Sequence, residues 1–388
     1  MKTLAERAYF DWNATAPLRE EARAAMGAAL AFTGNASSVH AEGRAVRRLI
    51  EKAREQVAQL LFSDAKNVIF TSGATEANML ALTPTLEIAG RKEPRDRLFV
   101  SAIEHPSVRA GGRFSRESIE TLPVTGNGVV DLAALSLAVK KAARPLVSVM
   151  LANNETGVVQ PITQIAQIVH AAFGVLHVDA VQGAGKIDCD IAALGADLVS
   201  VSSHKLGGPQ GAGALVRRGD IHVAEPLMKG GGQERGQRAG TENVAAIAGF
   251  GAAAAAATRA DTQRVAAMRD RLEQGLRRVT PDVQIFGDRE TRLPNTTLFA
   301  VPGVKAETAL IAMDLAGFAI SSGSACSSGK VSASHVLRAM GVTDELAACA
   351  LRLSVGPATT RAGIDAFLQA WSKHVANLSN KEKRGIAA

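Results

Sequence analysis

A lysine behind a histidine, an aspartate inside an apolar run and a cysteine among serines and glycines are the residues of this chain best suited to chemistry. In "VSVSSHKLGGPQGAGAL", residues 199 to 215, Lys205 ends a β-rich run and precedes a glycine-rich turn. Most lysines are solvated surface groups. One at a strand end beside a histidine and hydroxyls is partly desolvated and can meet a carbonyl ligand as an amine, as Schiff-base chemistry requires. The glycines after it let a phosphate or an abutting subunit come close to the backbone. In "HVDAVQ", residues 177 to 182, Asp179 sits where an ionised carboxylate is costly unless a cation meets it. A buried salt bridge would serve, and so would a protonated pyridine nitrogen. His177 shares its face of the strand, which also allows a metal, but no third ligand at suitable spacing supports one.

Three further stretches gain weight from these two. "TSGATEAN", residues 71 to 78, comes after the strand-like "VIF" and precedes a helix-forming stretch, so Ala74 and Thr75 fall at a helix N-terminus. N–H groups and the helix dipole there favour a phosphate; taken alone the stretch is an ordinary cap. His105 in "SAIEHPSV" stands at a strand end, where an imidazole can stack on a planar cofactor or move a proton, although a lone histidine is more often structural. "SSGSACSSGK", residues 321 to 330, presents Cys326 among small residues. That thiol is either incidental to a surface loop or a nucleophile, and as a nucleophile it needs activation, since only a few per cent of an ordinary thiol is ionised at neutral pH. Cys189 and Cys349 lie in more apolar settings and read as packed structural cysteines. Neither a G-x-x-x-x-G-K-[ST] nor a G-x-G-x-x-G motif opening a helix is present, which argues against ATP and NAD.

Periodicity points to the elements that must hold these residues. Val46, Leu49, Ile50, Ala53, Val57, Leu60 and Leu61 recur at helical spacing between Ser38 and Phe62. The apolar runs "NVIFTSG", "RLFVSAIEH", "LVSVMLANNETG", "VLHVDAVQ" and "DLVSVSSHK" come next, separated by segments able to hold helices or crossovers. That alternation predicts an α/β fold with a mainly parallel sheet, and the polar clusters fall at the carboxyl ends of the strands, where open α/β sheets bind ligands. The Ala-rich stretch from Val244 to Val279 reads as one long helix or a broken pair, bridging to a smaller C-terminal α/β or α+β part. The expected division is a large domain over 16–258 and a small one made of 1–15 with 259–388, which carries the Cys326 loop.

Composition narrows the class. With 388 residues the chain can bury a sizeable core, and three widely spaced cysteines suggest neither a disulfide framework nor a structural zinc site. The net charge of +7 is spread along amphipathic helices and aromatics are only 4%, a poor match to a nucleic-acid surface. No run of 18 apolar residues and no signal-peptide pattern occurs. The expectation is a cytoplasmic protein that needs no metal, nucleic acid or membrane.

Taken in order, "YFDWNATAP", "GNASSVHAEGR", "TSGATEAN", "NNETG", "HVDAVQ", "SSHKLGGPQGAGAL", "GGGQERGQRAGTEN", "SSGSACSSG" and "LRLSVG" resemble the class V aminotransferase family of pyridoxal-phosphate enzymes, and more closely the cysteine desulfurases of the NifS/IscS type. The resemblance covers nearly the whole chain and implies an aspartate aminotransferase-like, type I fold. It implies that Lys205 holds pyridoxal 5'-phosphate through its amine, that Asp179 pairs with the ring nitrogen, that Gln182 reaches the phenolic oxygen and that His105 stacks on the ring. The phosphate would be met by Ala74 and Thr75, by Ser202 and His204, and by Thr241 from the second subunit of a homodimer. Arg352 would take the carboxylate of L-cysteine, with Asn35 and Asn154 assisting. Cys326 would collect the sulfur as a persulfide and pass it to an acceptor such as an iron–sulfur scaffold protein. Ala36, Gly207 and Gln210 depart from the usual pattern without removing a reacting group. A selenocysteine lyase, an aminotransferase proper and a non-catalytic sulfur carrier are the rival readings; Cys326 argues against the second, and intact Lys205 and Asp179 against the third.

Overall fold

The computed structural model describes residues 7–257, 260–323 and 334–385, without the side chains of 260, 261 and 378–385. Cys326 lies outside the described residues. The five apolar runs form five strands of one seven-stranded sheet, in the order Val68–Thr71, Gly213–Arg217, Leu198–Ser202, Val175–Asp179, Pro145–Met150, Arg97–Ser101, Ile119–Leu122. Neighbouring strands are parallel except at Gly213–Arg217, which runs against both of its partners. The three central strands are buried along their whole length, as a sheet covered on both faces requires.

Successive residues of a strand face opposite sides, and the core divides accordingly. Val147, Val149, Leu176, Val178, Val199 and Val201 pack with Val46, Ile50 and Val57 of the helix Ala41–Leu60 and with Phe250 of the helix Val244–Ala256. Those two helices approach closely, because a Cβ on Gly251 would stand 2.5 Å from Ala53 Cα. On the other face Leu146, Val175 and Leu198 pack with Leu80 of the short helix Ala74–Ala81. The same alternation turns Ser148, His177, Asp179 and Ser200 to this second face. The register sets Met150 opposite Asp179 and Asp179 opposite Ser200, so the segments beyond these strands emerge along one edge.

The Ala-rich stretch is a broken pair, Val244–Ala256 and Ala260–Val279. Beyond it a four-stranded antiparallel sheet, ordered Gln284–Ile285, Thr296–Ala300, Ala350–Ser354, Ser321–Ser322, carries its own core of Leu272, Phe299, Leu353, Phe367 and Trp371. Phe299 and Trp371 meet edge to face at 5.3 Å. The first described strand, Ala8–Tyr9, pairs with Phe318–Ala319, and Phe10 joins this second core. On that grouping we propose the division of the chain into 16–258 and 1–15 with 259–388. A small three-stranded sheet was not expected from the sequence: Thr85–Ile88 and Arg91–Pro94 form a hairpin that pairs with Ile221–Val223. Its two-residue turn places Ala89 and Gly90 at φ of 49° and 74°, as tight hairpins demand.

Candidate active site

Ala74, Thr75, His105, Asn154, Asp179, Gln182, Ser202, His204, Lys205 and Arg352 all line one cavity of about 570 Å³ at the carboxyl edge of the large sheet. Its size suits a cofactor with a small substrate. Asn35 and Thr241 are exposed and do not line it; the Asn35 side chain instead accepts from the Ser37 N–H at 2.8 Å.

Lys205 ends the short helical turn Ser203–Lys205 that succeeds the strand Leu198–Ser202. Its Nζ donates to the backbone oxygens of Asn13 and Ala14 at 2.5 and 2.8 Å. The amine is thus held in the cavity wall by two carbonyls. Asp179 is oriented from two sides: the Val181 N–H donates to Oδ1 at 3.0 Å and Asn78 Nδ2 to Oδ2 at 2.9 Å. Asn78 also donates to Ser107 Oγ at 2.9 Å, and its own Oδ1 is buried without a partner among the described residues. His177, the residue that raised a metal reading, has both ring nitrogens engaged, with Ser148 Oγ at 2.8 Å and Ser200 Oγ at 2.9 Å. Burial pulls its pKa down to about 3, so it is a neutral member of the sheet.

His105 caps the short helix Pro106–Arg109, its Nδ1 accepting from the Ser107 N–H at 3.2 Å. Burial lowers its pKa, the charge of Lys205 acts in the same direction and Asp179 opposes them. His204 contacts Thr15 Oγ1 at 3.2 Å, and burial together with Lys205 and Lys186 brings it down to about 4. Both imidazoles are therefore neutral at pH 7, able to stack or accept. Elsewhere in the cavity wall, Ala74 opens the helix Ala74–Ala81, and Glu76 reaches back to accept from the Ser72 N–H at 2.7 Å. Arg238 pairs with Glu76 at 2.9 Å, which ties the segment carrying Thr241 to this helix start.

Arg352 is buried in the strand Ala350–Ser354, opposite Ser321, the first residue of "SSGSACSSGK". It donates to Asn154 O at 3.0 Å and to Asp11 Oδ1 at 2.7 Å, while its Nε is buried with no partner among the described residues.

Several residues at this edge are not legible in the sequence. Asn13 receives both Lys205 and Gln182 on its backbone oxygen, and its side chain bonds Thr296 at 2.8 Å and Asn295 at 2.9 Å. Glu104, next to His105, is wholly buried, one oxygen accepting from the Met150 N–H at 2.7 Å; burial holds its pKa well above the carboxylate range. Asn78 stands inside the quoted "TSGATEAN", and a polar residue among apolar helix positions was the signal for it. Lys186 lies four residues beyond Gln182.

A family model, aminotransferase class V, matches residues 8–367. The chain belongs to the class V aminotransferase family, and its fold is that of the type I pyridoxal-phosphate-dependent transferases, a large part with a mainly parallel sheet joined to a smaller C-terminal part. It is 40% identical over 373 residues to a cysteine desulfurase of Cereibacter sphaeroides, covering 94% of each chain. Among solved structures it resembles a NifS-like protein from Rickettsia africae at a TM-score of 0.86 and 35% identity, over 95% of this chain and 99% of that one. It also resembles SspA, solved in complex with cysteine, at 0.75 and 27% identity, over 91% and 100% of the two chains.

Proposed function

We propose that this chain is a pyridoxal-phosphate-dependent cysteine desulfurase, converting L-cysteine to L-alanine and carrying the sulfur as a persulfide on Cys326. The observation that carries the reading is the meeting in one cavity of the Lys205 amine, an Asp179 carboxylate fixed by two donors and the helix start at Ala74. These residues fit pyridoxal phosphate: an amine for its aldehyde, an anion for its ring nitrogen, a helix N-terminus for its phosphate. Bound there, the cofactor supplies an electron sink for charge at the substrate α-carbon. Gln182 meets the phenolic oxygen, His105 the ring, and Thr75, Ser202 and His204 the phosphate.

The chain's own residues do the rest. The unpartnered Nε of Arg352 is suited to the cysteine carboxylate, with Asn154 beside it and Asn35 a further substrate contact. Lys205, held by backbone carbonyls, removes the proton from the α-carbon and returns one on the way to alanine. The Cys326 thiolate attacks the substrate sulfur, the carbon–sulfur bond breaks, and the carbon side takes up a proton. Cysteine and thiol thus become alanine and persulfide without any external oxidant. A homodimer brings Thr241 of one subunit to the phosphate of the other, and a sulfur acceptor such as an iron–sulfur scaffold protein takes the persulfide sulfur in the cytoplasm.

The test is to supply L-cysteine with a thiol reductant and measure alanine and sulfide. Cys326→Ala is expected to lose at least about 10²-fold in turnover while keeping the yellow cofactor band. Lys205→Ala should lose the borohydride-sensitive absorbance. Undiminished desulfuration by Cys326→Ala would remove the persulfide assignment and leave the cofactor assignment standing.

A further inference from the structure

Gln182 lines the site cavity. Lys186 does not, and instead lines a second, mostly apolar cavity of about 250 Å³, together with Trp12, Leu206, Val265, Val355 and Lys205. From there its ammonium donates to the backbone oxygen of Gln182 at 3.0 Å and to Gln182 Oε1 at 3.2 Å. A side-chain amide has one accepting end and one donating end. With Oε1 engaged by Lys186, Nε2 turns away and donates to Asn13 O at 3.0 Å, the carbonyl that also holds Lys205. Buried amides whose ends are not both engaged can flip, exchanging donor for acceptor at the site.

We infer that Lys186 is a positioning residue that fixes the Gln182 amide with its N–H end toward the cofactor. The inference deepens the cofactor reading above and rests on it. Lys186 faces Lys205 and Arg352, which repel its charge, and Cys189, which opposes them; the neutral His204 lies nearby and Arg19 stands across the cavity wall. Burial, reinforced by Lys205, brings the Lys186 amine down to about 7, so its charge is present at neutral pH only in part. The residue therefore gives Gln182 two donors without placing a permanent second cation beside Lys205.

The consequence reaches the cofactor spectrum. A Gln182 N–H donated to the phenolic oxygen stabilises the anion there and weakens its hold on the proton of the neighbouring Lys205 nitrogen. Losing that donor makes the proton harder to remove. The experiment is a pH titration of the visible band of the holoenzyme. Lys186→Met is expected to raise the midpoint by about one unit, Lys186→Arg to return most of that shift, and the Lys186→Met shift to fall to less than half in a Gln182→Leu background. If Lys186→Met does not fold, Lys186→Gln, which keeps a short donor, should raise the midpoint by a smaller amount, and circular dichroism verifies its fold. A midpoint unmoved in the folded variant, or moved equally with and without Gln182, would overturn the inference. A wild-type protein that takes up no pyridoxal phosphate would overturn the cofactor reading beneath it, so the two failures are told apart by the wild-type spectrum.

Discussion

Asp179 shows how a single carboxylate is prepared for a cationic partner. Its two oxygens each receive one N–H, from Val181 and from Asn78. Asn78 is the adjustable member of the pair, since a backbone N–H cannot be mutated away. Asn78→Ala leaves Oδ2 short of a partner and removes the bridge to Ser107. A lost hydrogen bond to a charged buried group costs about 1.5–3 kcal/mol. Affinity for pyridoxal phosphate should therefore fall by at least about tenfold, read by titrating apo-protein with the cofactor and following its absorbance. Asn78→Asp should be worse, because it sets a second anion against Asp179. Equal affinities for wild type and Asn78→Ala would mean that Val181 alone orients the acid.

At the scale of elements, the strands and their carboxyl-edge clusters were legible because a parallel sheet buried on both faces leaves an unmistakable run of β-branched and aliphatic residues. "VLHVD" and "LVSVS" are such runs, and the segment after each strand is polar because it meets the site. The hairpin over Thr85–Pro94 was not legible, since "LEIAGRKEP" alternates too little and its pairing with Ile221–Val223 bridges more than a hundred residues. Nor could spacing reveal that the Asn13 backbone oxygen accepts from both Lys205 and Gln182, because Asn13 comes from an unrelated segment. The turn after Met150 is a further case. Glu155 there accepts from Ser334 Oγ at 2.5 Å, and Ser334 in turn caps the helix His335–Ala339, its Oγ accepting from the Leu337 N–H at 3.1 Å. Burial raises the Glu155 pKa to about 7, with Ser334 and Arg352 opposing. Unfolded, this carboxyl titrates near 4.5, so between 4.5 and 7 the folded state keeps a proton that the unfolded state has lost. Its contribution is complete below pH 4.5 and is lost as pH rises through 7, a change on the order of 3 kcal/mol at most. Glu155→Gln retains an acceptor for Ser334 and cannot titrate. The gap in unfolding free energy between wild type and this variant, followed by urea denaturation across pH 4.5 to 7.5, should shift steadily against the wild type. A gap that stays constant with pH would show that Glu155 is ionised throughout.

At the scale of the whole molecule, the proposed homodimer assigns Thr241 to the site of a second copy. Each of the phosphate-directed groups from "TSGATEAN" and "SSHK" lines the cavity of its own chain, whereas Thr241 is exposed and lies outside it. Its segment is nonetheless fixed in place, through Arg238 on Glu76 at the start of the very helix whose N-terminus faces the site. A residue so held, yet absent from the lining of its own chain's cavity, fits the role proposed for it in a second copy of the chain, as a two-fold dimer with a shared site requires. That arrangement makes a quantitative prediction. Lys205→Ala should abolish turnover, and Thr241→Ala should weaken cofactor binding enough to leave little activity at limiting pyridoxal phosphate. Mixing the two variants and letting subunits exchange produces hybrids in about half of the dimers, by random pairing. Each hybrid has one site that lacks both groups and one that lacks neither, because its intact lysine and intact threonine come from opposite subunits. About a quarter of the wild-type turnover should then recover, measured as alanine formed per subunit, from two proteins that are nearly inactive apart. If Thr241 instead served its own chain, every site in the hybrid would lack one group or the other, and mixing would give no more than the sum of the parts.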